Sequence, residues 1–352
     1  MNQGHPEELS KFLREFRTRH SAESVIARIQ ELKKLKVLVL GDTIIDEYHF
    51  VRPYGMPLKA PVIAAQFQRG ESYAGGVLAV ANHVAGFCDE VHLVTGLGAT
   101  DTKRDFIDAS LRSNVSRHFV VQPDAPTTVK RRYLRTFLLQ KLFEVSFFDD
   151  RPLDPDVDAA ACAYLAEEVP KYDLVLVADF GHGFVTRAMI DVLCAKAKFL
   201  AVNTQLNSVN YGYHVVTRYP RADYVCIDEE ESRIACRDRR APVDEITAAL
   251  ATQLGCRVMT VTLGHVGSLT RMDGHAPVTV PVLSRQVVDT VGAGDAYLSL
   301  SAPCACAGFP PELIGFVGNA VGALAVRIVG NAQPVEPDAL YAFITRILEE
   351  HP

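Results

Sequence analysis

The sequence predicts an α/β protein, a doubly wound, mostly parallel sheet with helices on both faces and a small β-sheet lid. Three observations carry that expectation. Short, uninterrupted apolar runs recur at 36–40, 91–95, 174–178, 199–202, 224–227 and 258–262. Strands lacking a polar face are the kind buried on both sides. Helical stretches at 77–86, 102–113, 155–168, 186–197 and 243–254 separate most of them, the alternation that builds a parallel sheet through crossovers. Two further regions, 61–69 and 127–148, alternate in character and carry few helical signals, as strands of a separate sheet at the edge of the main body would.

The elements follow in order. Residues 6–34 read as two helices. Ser21 can cap the second, whose apolar positions Val25, Ile26, Ile29 and Leu32 recur at helical spacing. This segment reads as an N-terminal helical extension over 1–35, packed on the main body or serving as a partner-binding arm. The main domain spans 36–352, and the lid comes from about 48–70 and 127–148. Helices close the chain at about 293–307, 311–328 and 337–348.

Composition excludes several function classes. The chain has 352 residues, a formal charge of −6 and ordinary apolar content. That balance gives no general attraction to nucleic acid or acidic membranes, so neither is expected as a partner. The polar start MNQGHPEELSKF predicts no signal peptide, and no apolar run reaches membrane-spanning length. The eight scattered cysteines form no C-x-x-C pair and read as reduced, which predicts a cytoplasmic protein.

The chemistry concentrates in SRQVVDTVGAGDAYLSL, residues 284–300. Gly292, Ala293 and Gly294 fall where a helix begins, beyond a β-branched run. Glycine admits backbone angles that other residues resist. The first helical N–H groups lack internal partners, so with the helix dipole they can hold phosphate oxygens. Asp295 beside such a turn is electrostatically awkward unless it accepts a proton. General-base help to an attacking hydroxyl is worth ~10²–10⁴-fold. An acidic helix cap is the plainer alternative for the same residues.

The longer string Asp289-Thr290-Val291-Gly292-Ala293-Gly294-Asp295 resembles the C-terminal signature of the ribokinase-like, or PfkB family, carbohydrate kinases. Other blocks stand in that family's order: Gly41-Asp42-Thr43-Ile44-Ile45-Asp46, Gly75-Gly76, Asp228-Glu229-Glu230-Glu231 and Thr262-Leu263-Gly264-His265-Val266-Gly267. The resemblance spans roughly 36–335. Within the family the likeness is greatest to kinases that phosphorylate heptose 7-phosphate, carried by GDTIIDEY, the KAPV stretch beginning at Lys59, TTVKRRYL and ADFGHG.

The resemblance implies roles residue by residue. Asp295 would be the catalytic base, and Gly292, Ala293 and Gly294 the anion hole. Asp46 would hold substrate hydroxyls with Asp42 nearby, and Gly75 and Gly76 would let the backbone approach the sugar. Glu231 would organise Mg²⁺ through water, with Asp228 beside the nucleotide. Thr262, Gly264 and Gly267 would pass under the nucleotide, with Asn319 near its base. Asp289 is the candidate ligand of a monovalent cation such as K⁺. Lys130 and Arg132 share one strand face and could clamp a phosphate already on the sugar; a solvated strand edge is the alternative. His182 is either a phosphate contact or a turn residue.

Three departures bear on the acceptor. Asp228 replaces the motif asparagine. Ala79 stands where a sugar-binding asparagine is usual, with Asn82 one turn later. The segment 135–139 reads RTFLL instead of an arginine–glutamine pair. The expected function is an ATP- and Mg²⁺-dependent sugar or sugar-phosphate kinase, with a heptose 7-phosphate-like acceptor and a homodimer formed through the lid. The alternatives are a kinase-fold binding or regulatory module for a sugar phosphate, and a nucleoside kinase.

Overall fold

The chain opens with two helices, α1 (Pro6–Arg17) and α2 (Ala22–Glu31), before the first strand, β1 (Lys36–Gly41). A computed structural model describes residues 6–57, 61–137, 139–149 and 151–349. Ser21 caps α2, its hydroxyl accepting from the Ser24 amide at 3.1 Å. Val25, Ile29 and Leu32 are buried, and Phe16 stacks on Phe316 with ring centroids 4.4 Å apart. These helices are therefore continuous with the core of the main body.

Beyond β1 the chain runs through β2 (Thr43–Gly55), β3 (Ala64–Gly76), α3 (Val77–Val84), β4 (Glu90–Gly98), α4 (Arg104–Ser110), β5 (Val115–Gln122), β6 (Val129–Arg135) and β7 (Lys141–Phe147). Then come α5 (Pro155–Glu168), β8 (Leu174–Asp179), α6 (Arg187–Lys196), β9 (Leu200–Thr204), β10 (Tyr224–Asp228), α7 (Glu229–Cys236), α8 (Val243–Gln253) and β11 (Val258–Thr262). An antiparallel pair, β12 (Gly267–Met272) and β13 (Val278–Pro281), precedes α9 (Ala293–Cys306), α10 (Pro311–Ala325) and α11 (Pro337–Glu349).

The large sheet sorts its side chains by parity, as a strand must. Val37 and Val39 of β1 join the core on one face, and Leu38 and Leu40 join the other; Leu174 and Leu176 of β8 divide from Val175 and Val177 in the same way. Helices α9, α10 and α11 supply the first core, and α5, α6 and α8 the second. The strand order is β13-β12-β11-β10-β9-β8-β1-β4-β5, with β5 through β11 parallel along that order and β12 and β13 antiparallel at one edge. The expected doubly wound sheet is thus present. Strand order reverses beside β1, which opens a crevice at the carboxyl ends of the strands.

The second sheet has the order β3-β2-β6-β7. Its outer pairs are antiparallel, while β2 and β6 run parallel. β3 extends through Gly75 and Gly76 because these pair with Ile44 and Thr43, so the lid reaches further into the body than the alternating segment 61–69 suggests. Of the KAPV stretch, Lys59 and Ala60 lie outside the described residues, as does Leu138. Among the described residues no helix is long and apolar enough to cross a membrane. The eight cysteines are free, with Cys88, Cys226, Cys256 and Cys304 buried.

Candidate active site

Two cavities open at the carboxyl ends of the strands. One, of 340 Å³, lies between the large sheet and the lid and is lined by Asp46, Lys130, Arg132, Gln205, Glu231 and Asp295 among others. The other, of 1020 Å³, extends over Gly264, Gly267, Arg233 and Asn319. Both are lined by Asp228, Thr262, Thr290 and Gly294, so they meet at the start of α9. The larger volume suits a nucleotide and the smaller a compact polar ligand.

The start of α9 has the form the sequence predicts. Gly292 holds φ +82°, and no side chain caps the helix. The first-turn amides consequently face the junction without intrahelical partners. A Cβ at Gly292 would lie 2.1 Å from Asn331 Oδ1, whereas one at Gly294 would meet nothing within 4 Å. Gly292 therefore permits close packing within the protein, and Gly294 leaves room on the cavity side.

Asp295 sits in the first turn, 7% exposed, and Gln205 Nε2 donates to its Oδ1 at 2.8 Å. Burial pushes its carboxyl up to about 7, and the nearby Asp46 charge adds to the effect. A carboxylate displaced to neutrality is matched to proton exchange near pH 7. Asp228 and Glu231 form a reciprocal capping box at α7: the Glu231 amide donates to Asp228 Oδ1 at 2.7 Å, and the Asp228 amide to Glu231 Oε2 at 2.8 Å. Leu206 N donates to Glu231 Oε1 at 3.0 Å. Burial and the adjacent Asp228 push Glu231 up to about 8. Three carboxylates thus crowd the junction.

Across the cavity the lid supplies the opposite charge. Arg132 pairs with Asp46 and, through Nε, with Glu144 Oε2 at 2.8 Å. Asn331 Nδ2 also donates to Asp46, at 3.3 Å. Arg132 therefore fixes Asp46 in place. Lys130, on the same face, makes no side-chain hydrogen bond or ion pair among the described contacts and lines the cavity with its ammonium depressed by burial.

The structure places the other residues singled out in the sequence as follows. Asp42 does not join this cavity. It is buried against a separate 60 Å³ hollow, where its carboxylate accepts from the amides of Phe180 and Phe184 at 2.9 and 3.2 Å. Gly75 clears space for Asp46 more than for a ligand, since a Cβ there would lie 2.1 Å from Asp46 Oδ2; Gly76 does line the cavity. Asn82 faces away, donating to Ser110 O at 2.9 Å and accepting from the Arg112 amide at 3.0 Å. His182 lines the small hollow with an unpartnered Nε2, and burial pushes its imidazolium down to about 3.

Thr262, Gly264 and Gly267 form one wall of the large cavity, with φ +56° at Gly264 and +128° at Gly267. A Cβ at Gly267 would meet Val280 O at 2.0 Å. Asn319 also lines this cavity, but its Nδ2 donates inward to Ser268 Oγ at 2.8 Å and Gly315 O at 2.9 Å. Its amide shapes the wall.

Asp289 lies just before the turn, 7% exposed. Its oxygens accept from Tyr48 Oη at 2.7 Å, Lys141 Nζ and Gly330 N at 3.0 Å, and Val291 N at 3.2 Å. Burial opposes its charge, but these donors outweigh burial and hold the carboxyl below its usual range. Gln205, Asn331, Glu144 and Lys141 are site residues that sequence reasoning missed. Only Gln205 carried a signal, as a polar residue just past the end of an apolar run.

Comparison with known proteins accords with this geometry. The family profile described as pfkB family carbohydrate kinase matches residues 34–338. The "Bifunctional protein HldE" of Chromohalobacter salexigens is 27% identical over 309 residues, which cover 86% of this chain and 62% of that protein. A second protein of the same name, from Actinobacillus pleuropneumoniae, is covered over 61% of its length, so the chain spans less than two thirds of these curated relatives. Among solved structures, phosphofructokinase-2 from Escherichia coli in complex with potassium superimposes with a TM-score of 0.70 at 14% identity, covering 89% of this chain and 100% of that one. Arabidopsis thaliana ribokinase complexed with ribose and ATP gives 0.64 at 18%, covering 88% and 99%. These two likenesses concern the fold.

Proposed function

Because the chain belongs to the pfkB family of carbohydrate kinases, we propose that it transfers the γ-phosphoryl group of ATP to a hydroxyl of a phosphorylated sugar, with a heptose 7-phosphate as candidate acceptor. One observation carries the reading. A buried carboxyl poised near neutrality, Asp295, sits at an uncapped helix start where two cavities meet. The nucleotide occupies the larger cavity, along Thr262–Gly267 and the start of α9. The sugar occupies the smaller one, between Asp46, Gly76 and the lid. The acceptor oxygen bonds to the γ-phosphorus as the bond from that phosphorus to the bridging oxygen of ADP breaks. Asp295 takes the hydroxyl proton, and the amides at 292–294 stabilise charge on the transferred group.

The junction suits Mg²⁺. Asp228 and Glu231 offer the hard oxygen donors that Mg²⁺ takes, and a cation there would favour the charged form of Glu231, which burial and then the adjacent Asp228 oppose. Both Glu231 oxygens already accept backbone amides, which fits contact through water. Bound there with nucleotide, Mg²⁺ would neutralise phosphate charge. Asp46 orients acceptor hydroxyls, held by Arg132 and Asn331.

Lys130 supports a phosphorylated acceptor over a nucleoside, because of the two lid cations lining the smaller cavity Arg132 is paired and Lys130 has no described side-chain partner. The heptose acceptor is supported by the resemblance of GDTIIDEY, TTVKRRYL and ADFGHG. The exposed Phe67, Phe143 and Phe147 on the lid support pairing of two copies. The free cysteines support a cytoplasmic location. Residues 36–352 would form the kinase unit and 1–35 an N-terminal extension, whose helices α1 and α2 pack on it.

The test is a thermal-shift screen of sugars and sugar phosphates with Mg²⁺ and a non-hydrolysable ATP analogue. A ligand at 100 times its dissociation constant should add about 2.7 kcal/mol. Hits are then assayed for phosphoryl transfer, with Lys130→Met expected to raise KM for the phosphorylated sugar about tenfold or more. If ligands stabilise the protein yet none is phosphorylated, a binding module replaces the kinase reading. If Lys130→Met leaves that KM unchanged, the acceptor's phosphate lies elsewhere.

A further inference from the structure

The loop carrying Asp289 is where a monovalent cation is expected, and the residues present do not leave room for one. A carboxylate offers about four lone-pair sites. At Asp289 all four are engaged: Oδ1 by Lys141 Nζ and Val291 N, Oδ2 by Tyr48 Oη and Gly330 N. A potassium ion at this carboxylate would have to displace one of them. Two are backbone amides fixed by the turn and by the loop at 330, and the third is the hydroxyl of a wholly buried tyrosine. The fourth, Lys141, already brings a single positive charge, at 3.0 Å.

Lys141 is delivered by the lid. It stands opposite Leu134 at the start of β7, after the β6–β7 turn. Leu134 packs with Tyr48 and Phe50 in a small apolar cluster against Val329. The loop on the body side is fastened by the amides of Val288 and Asp289, which donate to Val326 O at 2.7 and 3.1 Å. The ammonium therefore sits where two body loops and the lid converge. Through Asp289 it acts on the Val291 amide, one residue before Gly292.

We propose that the Lys141 ammonium stands in for a monovalent cation at the Asp289 loop, holding the glycine turn in its phosphate-binding form without potassium. Lys141 is a positioning residue, since it reaches the anion hole only through Asp289 and Val291. The inference uses the kinase reading for its nucleotide arm alone; its crystallographic arm needs no activity.

Crystals of the wild type and of Lys141→Ala are soaked in rubidium chloride, and anomalous scattering is recorded. The expected result is no rubidium at Asp289 in the wild type and a rubidium peak there in the variant. In parallel, binding of a non-hydrolysable ATP analogue with Mg²⁺ is measured by calorimetry in tetramethylammonium chloride and in potassium chloride. The wild type should bind equally in both salts. The variant should bind about tenfold more weakly in tetramethylammonium and recover in potassium. A rubidium peak at Asp289 in the wild type overturns the proposal, as does tenfold potassium activation of wild-type binding. Neither result requires a folded variant. A Lys141→Ala protein that binds nucleotide equally well in both salts also overturns it. Loss of phosphoryl transfer with these salt responses intact would instead count against the kinase reading.

Discussion

Replacing Asp295 with asparagine should remove catalysis and add stability, and pH should separate the two effects. The substitution keeps the side-chain volume and an acceptor oxygen for Gln205 Nε2, 2.8 Å away, while removing a charge that the site resists. Burial displaces the Asp295 carboxyl from 3.8 to about 7. At about 1.4 kcal/mol per pH unit that displacement amounts to about 4 kcal/mol of unfavourable ionisation, or about 2–4 kcal/mol once relaxation and water entry are allowed for. The sign follows from proton counting. Between pH 4 and 7 the folded chain retains a proton that the unfolded chain has released, so wild-type stability falls as pH rises through that window and levels off above it. The variant lacks this contribution. Its melting temperature should match the wild type near pH 4 and exceed it by about 2–5 °C at pH 8 for a chain of this length. Scanning calorimetry of unliganded protein at four pH values measures the difference, with circular dichroism as the check on folding. Turnover at pH 8 should fall about 10²–10⁴-fold. A melting difference that does not change with pH, or a variant less stable at pH 8, would refute the claim that Asp295 is a charge held against its solvation.

Three other outcomes are expected. Wild-type kcat/KM should rise with pH on the acid side and level off above about 7, as Asp295 loses its proton; a limb centred near pH 4 would assign the base elsewhere. Gly292→Ala forces alanine to φ +82° with its Cβ at Asn331 Oδ1, costing about 1–3 kcal/mol and displacing a partner of Asp46; denaturant unfolding and turnover report both. Asp42→Ala leaves the amides of Phe180 and Phe184 without their acceptor and should cost about 1–3 kcal/mol near pH 4, where no buried charge is relieved because burial holds the Asp42 carboxyl up to about 6, with acceptor KM unchanged. A tenfold rise in KM would return Asp42 to the binding site.

The parallel sheet was legible because its strands are apolar on both faces: Leu38 and Val39 meet different cores, yet both must be apolar. The edge strand β5 was not, because VSRHFVVQ places Ser116, Arg117 and His118 where only one neighbouring strand pairs with it. The glycine turn at the start of α9 was readable because a backbone angle is a local property, whereas a role for Asp295 came only with the resemblance of the longer string. The separation of Asp42 from Asp46 was not legible, because the two lie four residues apart in one motif, across a change of sheet, and line different hollows. Asn331 and Lys141 carried no signal, since each reaches its partner from an element remote in sequence, and Glu144 meets Arg132 across the β6–β7 hairpin, whose register the sequence left open. The Lys141–Asp289 pair spans 148 positions.

Only one residue, Asp42, separates the end of β1 from the start of β2, and the returning strand re-enters the body alongside it, with the Val77 amide donating to Asp42 O at 3.2 Å. The two strands thus leave the large sheet and return to the body at α3 as a twin-stranded strap with a common root. Asp46 rides on that strap, held by Arg132 and by Asn331 of the body, while Asp295 belongs to α9, so the root of the strap sets the gap between the two carboxylates. On the proposed reading, a polyol engages both carboxylates across that gap. A lone water molecule, with nothing to span the gap, has no means of doing so, and this favours a sugar over water as the acceptor.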